Sequence, residues 1–131
     1  MPKGYGIPNL NGSFKTYDAD LATKQFHIMK LVATGTIDFC TAATDLAIGV
    51  LNSKPYAAAA KDAEVIVAGE CKVKAGGTIS AGQFIVADAS GQAVAVTLGT
   101  TTTNVAVGRA LEDAVSGDIF RALILPGFIQ V

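Results

Sequence analysis

The sequence predicts an all-β fold: a small antiparallel β-barrel or sandwich with an irregular N-terminal arm and at most one short helix. Three observations carry that prediction. Segments rich in Val, Ile and Phe recur along the chain, most of them five to eight residues long. Glycine-bearing turns separate many of them. Helix has little room, since the segment of best helical propensity, residues 55–63, spans only about two turns.

Taken in order, residues 1–23 read as an irregular arm, because Gly4, Gly6, Pro8 and Gly12 break any periodicity. Asn11-Gly12 reads as a surface turn. Tyr5, Phe14 and Tyr17 punctuate the arm and are its candidate interface residues, laid on a neighbouring subunit. The plain alternative is a frayed terminus with its aromatics tucked locally. Residues 24–131 read as a single β domain. "KQFHIMKLVA" (24–33) alternates in part, and Thr34-Gly35 is a plausible hairpin turn into "TIDFC" (36–40). "LAIGVL" (46–51) comes next, then "EVIVAG" (64–69), "CKVK" (71–74), "QFIVA" (83–87), "QAVAVTL" (92–98), "NVAVGRAL" (104–111) and "DIFRALIL" (118–125). Between the third and fourth of these segments, "PYAAAAKDA" (55–63) reads as a loop or one short helix. A weak internal repeat is visible: "AIGVL" (47–51) leads to "KDAEVIVAGE" (61–70), and "AVGRAL" (106–111) leads to "SGDIFRALILPG" (116–127). The repeat predicts two similar hairpins packed across one barrel.

Composition narrows the function classes. With 131 residues, half of them apolar and 16% charged, the chain suits one packed domain. A net charge of −1 without a basic stripe argues against nucleic acid. No run is long enough for a membrane helix, and "MPKGYGIPNL" lacks the apolar core of a signal peptide, so a cytoplasmic site of folding is expected. Cys40 and Cys71 lack CxxC partners and read as small buried hydrophobes, with a single disulfide left open.

The residues offer little chemistry. "AGGTISAGQF" (75–84) carries the glycine frame of a phosphate-binding loop, but Gln83 and Phe84 stand where lysine and a hydroxyl are needed. The segment "FIVA" (84–87) reads as a strand, so no helix N-terminus would hold an anion. "DASGQ" (88–92) reads as a hairpin tip without the lysine of a biotin or lipoate carrier. His27 is the single histidine, and such a strand residue is usually packed or solvated. Cys40, His27 and Asp38 could in principle form a thiol nucleophile set, although nothing in their spacing makes them meet. Glu64, Glu70, Glu112, Asp113 and Asp118 fall mainly at predicted strand ends, where exposed turn acids are ordinary. Arg109 and Arg121 lie within apolar strands, where each points outward over the sheet or faces a partner. The absence of tryptophan leaves no obvious stacking platform for sugar or single-stranded nucleic acid.

Four stretches together resemble a known family. They are "FHIMKLVATGTIDFCTAAT" (26–44), "AIGVLNSKP" (47–55), "AEVIVAGECKVKAGGTISAGQFIVADASGQAV" (63–94) and "AVGRALEDAVSGDIFRALIL" (106–125). Their order resembles the head-decoration, or capsid cement, proteins of tailed bacteriophages. Gly49, Gly69, Gly77, Gly82, Asp88, Gly91, Gly108 and Gly117 stand at that family's glycine and turn positions, with Val65, Val67 and Val86 at its valines. Lys61-Asp62 departs from the glycine–acid turn more usual there, and residues 1–23 align with nothing. The resemblance implies a non-enzymatic structural virion protein that binds the outer surface of a phage capsid and stabilises it. It implies the major capsid protein as partner, a homo-oligomer with a trimer favoured, and no catalytic, cofactor or metal site. It places the protein on the capsid exterior after assembly in the host cytoplasm. Two alternatives remain beside it. One is a binding module of a phage tail or adhesin that recognises a glycan or cell surface, and the other is a small Cys-dependent hydrolase.

Overall fold

The structure, a computed structural model, describes residues 8–96 and 103–130. Its strands are β1 (Leu10–Thr16), β2 (Ile28–Ala33), β3 (Thr36–Phe39), β4 (Ala47–Leu51), β5 (Asp62–Lys74), β6 (Phe84–Ala87), β7 (Ala93–Ala95), β8 (Thr103–Ala110) and β9 (Ile119–Gln130). A short 3₁₀ helix, Ala19–Thr23, is the helical element among the described residues. The all-β prediction therefore holds.

The strands pair in the order β1-β3-β2-β4-β5-β9-β8-β6-β7, and β1 also pairs with β5. That extra pairing closes β1, β3, β2, β4 and β5 into a barrel. The remaining sheet runs from the end of β5 through β9, β8 and β6 to β7, and the parallel bridge Ala75–Ala93 links its far edge back towards β5. The two halves share one plan. β2–β3 and β6–β7 are antiparallel hairpins, β4 lies beside β2 as β8 does beside β6, and β5 lies beside β4 as β9 does beside β8.

The sequence repeat thus corresponds to two equivalent hairpins, β4–β5 and β8–β9. They do not enclose one barrel, as the repeat predicts: β8–β9 lies outside the five-stranded ring and meets β4–β5 through the β5–β9 pairing and a shared core. "EVIVAG" and "CKVK" are likewise one strand, because β5 runs unbroken through Glu70 from the barrel into the second sheet. Its odd residues Ala63 and Val65 lie in the barrel's core, and its odd residues Cys71 and Val73 lie in the second core.

At the seam, neighbouring residues of one strand serve both cores. Ile28, Val50 and Ile66 join the core of the second sheet, whereas Met29, Leu51 and Val65 join that of the barrel. Strands buried on both faces lose polar alternation, which is why "AIGVL" and "EVIVAG" read as continuous apolar runs. Glycine allows the closest strand approach. A Cβ on Gly49 would lie 2.1 Å from the Ile66 carbonyl oxygen, and one on Gly108 would lie 1.9 Å from that of Leu123. These glycines occupy matching places in the two repeats.

The arm differs from expectation. Leu10–Thr16 is a strand, antiparallel to β5 and parallel to β3. Asn11-Gly12 is not a turn but lies within β1, opposite Ile66 and Val65. Backbone pairing to a preformed edge outweighs the weak strand propensity of these residues. The 3₁₀ helix then places Leu21, fully buried, in the barrel's core, with Asp18 as its N-cap. Residues 55–61 form no helix. Thr16 holds them as a loop, its hydroxyl donating to the Ala58 carbonyl at 2.7 Å and accepting from the Lys61 N–H at 3.0 Å.

Candidate functional site

The predicted interface aromatics separate. Tyr5 lies outside the described residues. Phe14 is half-buried and packs against the barrel core, so internal packing accounts for its ring. Tyr17 is 55% exposed, and its N–H is held by the Ile37 carbonyl at 2.9 Å. The set is thus divided, with Phe14 in β1 turned inward and Tyr17, just past its end, turned outward.

No hydrogen bond joins Cys40, His27 and Asp38 among the described residues. Cys40 is fully buried in the core that spans the seam, and burial pushes its thiol up to about 12. A nucleophile needs the opposite shift. Cys71 is also buried, with its thiol raised to about 12, and its Sγ donates to the Lys72 carbonyl at 3.2 Å. Both cysteines are free. His27 is buried just before β2, its Nδ1 3.0 Å from the Gln25 carbonyl oxygen, and burial lowers its pKa. Asp38 accepts from the Phe39 N–H at 2.9 Å, and burial raises its pKa.

The acids hold structure. Glu64 accepts from Asn52 Nδ2, Asp113 from the Ala81 N–H and Asp118 from the Val115 N–H. Glu70 and Glu112 both engage Arg121, and Glu112 Oε2 also accepts its backbone N–H at 2.9 Å. No group of three or more metal-ligating side chains gathers among the described residues. The frame "AGGTISAGQF" forms two turns, and Phe84 opens β6. Gln83 caps the second turn by accepting the Ser80 N–H at 2.7 Å. "DASGQ" is a hairpin tip in which Asp88 accepts from the N–H groups of Ser90 and Gln92.

What remains is surface. Leu10 and Leu125 are 63% and 62% exposed. The registers bring both to the seam, because Leu10 pairs with Ala68 while Ile124 pairs with Gly69. Asn9 reinforces this junction by donating from Nδ2 to the Glu70 carbonyl at 3.0 Å. Beside it, Asn9, Phe26, Asn52, Lys72 and Arg121 line an open hollow of about 390 Å³. Phe26 has a φ of +68°, an uncommon conformation for an aromatic residue. Its N–H donates to Leu51 and its carbonyl accepts from Lys74, which ties the ends of β4 and β5 together. Sequence reasoning missed this seam patch, since its members are distant in the chain and meet only through strand register.

No protein-family model matches the sequence, and no curated protein matches it. Among solved structures, the fold is similar to the N base of the head fiber protein gp8.5 of bacteriophage phi29. The TM-score is 0.55 at 14% identity, over 90% of this chain and 93% of that one.

Proposed function

We propose that this chain is a non-enzymatic structural protein of a phage virion, seated on the outside of the head. The observation that carries the reading is the end-to-end likeness of its fold to a head fiber base, over nine-tenths of both chains. The turn pattern of the decoration proteins supports the same role. On this reading the chain binds the major capsid protein and stabilises the shell after assembly in the host cytoplasm. The closed barrel and the apolar cores on either side of the seam supply a scaffold whose cysteines are free. The exposed seam residues Leu10 and Leu125 and the outward Tyr17 are its contact candidates. Copies arrayed on one shell would convert weak individual contacts into firm attachment. Docking at a symmetry axis favours a homo-oligomer, and a trimer is proposed.

Co-sedimentation with undecorated heads tests the reading. The protein is expected in the pellet with its cognate heads and in the supernatant without them. Failure to pellet with those heads would sink the proposal. Light-scattering mass of the isolated protein tests the trimer separately.

A further inference from the structure

The two arginines of the paired strands β8 and β9 are held in different ways. Arg121 reaches Glu70 Oε2 at 3.4 Å and Glu112 Oε2 at 3.8 Å, so its charge is met within the chain. Arg109 makes no ion pair among the described residues. Its Nε–H donates to the Gly82 carbonyl at 3.0 Å, and its guanidinium lies 4.9 Å from the centre of the Phe84 ring. It borders an open hollow of about 580 Å³, whose other walls are the Ala81–Phe84 turn, Ala95 and Val96. In the sequence, residues 97–102 after Val96 are Thr-Leu-Gly-Thr-Thr-Thr and include no acid.

This arrangement sets an arginine for recognition. The Nε bond and the aromatic face together restrain the plane of the guanidinium. Neither bond uses the terminal nitrogens Nη1 and Nη2, which form a fork that matches a carboxylate through two parallel hydrogen bonds. A fork restrained in advance loses less side-chain entropy on binding. The apolar walls from Phe84, Ala95 and Val96 would strengthen the charge interaction once water is displaced.

We propose that Arg109 and its hollow are a docking site for an Asp or Glu side chain of a partner protein. Charge complementarity selects that occupant, because acids of the chain meet the charge of Arg121, whereas no acid among the described residues meets that of Arg109. The partner's identity rests on the proposed virion role, in which it is the shell protein on which the chain sits.

Two measurements on the full chain test this. In the first, arginine side-chain NMR signals are followed while N-acetyl-glutamate amide is added, with N-acetyl-glutamine amide as the neutral control. The Arg109 Nε–H signal is expected to shift with the glutamate compound alone, while that of Arg121 stays in place. Equal movement of the two arginines, or none, would overturn the site. In the second, R109Q and R109K are compared with the wild-type protein in the head-binding assay. R109Q is expected to lose about tenfold or more in affinity, the range for a charge-assisted hydrogen bond, with R109K in between. An unchanged circular dichroism spectrum and melting temperature would show that R109Q is folded. R109Q binding heads as tightly as wild type would overturn the inference and leave the virion role standing. If the wild-type protein itself fails to bind heads, the virion role and the named partner fall, and the NMR titration decides the carboxylate site alone.

Discussion

In the barrel, β1 closes the ring through six residue pairs with β5, from Leu10–Ala68 to Lys15–Asp62. In the second sheet, the corresponding gap is bridged among the described residues by the single pair Ala75–Ala93. One plan is thus completed in two ways. The closing strand of the barrel, "LNGSFKT", is half-exposed and poor in β-branched residues, so backbone hydrogen bonds hold it. The second sheet has no such closing strand among the described residues, and its core holds Phe120, Ile85 and Ile124, fully or almost fully buried, with small alanines at Ala75, Ala87, Ala93, Ala110 and Ala122. The comparison shows that a duplicated strand order need not be closed in the same way.

The sharpest way to break the comparison is at its matched glycines. Gly49→Val and Gly108→Val each drive a side chain into a partner carbonyl, and backbone cannot yield as a flexible side chain can. Each is expected to lose more than about 4 kcal/mol in urea unfolding, or to fail to accumulate as soluble protein. If one is tolerated and the other is not, the two hairpins are not equivalent.

Core truncations should separate the halves next. Phe120→Ala is expected to cost roughly 3–5 kcal/mol and Leu21→Ala roughly 2–5 kcal/mol. Hydrogen exchange gives the distinguishing result. Leu21→Ala should raise exchange in β2, β3 and β4 while sparing β6 and β8, because Leu21 belongs to the barrel core alone. Phe120→Ala should raise it on both sides, since its core includes Ile28, Val50 and Ile66 at the seam.

His27 gives a smaller, pH-dependent effect. Burial lowers its pKa in the folded state below the ordinary 6.5. As pH falls through 6.5 the unfolded chain takes up the proton first, so stability present at neutral pH declines below that point. Melting temperatures measured from pH 7 to 5 should fall for the wild-type protein and fall less for His27→Gln. Equal slopes would remove His27 as the cause.

The least effect is expected at the surface pair Lys15–Asp62, which spans β1 and β5. Asp62→Asn leaves the backbone ladder intact and should not measurably change the melting temperature. A marked fall would mean that side-chain charge, as well as backbone pairing, closes the barrel.

Much of this architecture was legible in the chain. The β2–β3 hairpin arises from partial alternation and Thr34-Gly35, and the β6–β7 tip from "DASGQ". Arg109 and Arg121 stood out as charges within apolar strands. Their different fates did not, because Glu70 lies 51 residues from Arg121, and both it and the nearer Glu112 meet Arg121 only through strand register. Phe14 and Tyr17 could not be told apart for the same reason. Phe14 faces the core through the pairing of β1 with β5, and Tyr17 is placed just past the end of β1 by its N–H bond to the Ile37 carbonyl.

By itself, then, the sequence determined which segments extend, where they turn and that the fold is β, since alternation, branched side chains and turn glycines act locally. Tertiary structure alone decided that β5 is one strand serving two cores, that β1 is a strand at all, and which arginine meets its acids. Those outcomes depend on the edge a neighbouring strand offers and on the register in which it is taken, and neither is written in any local pattern of residues.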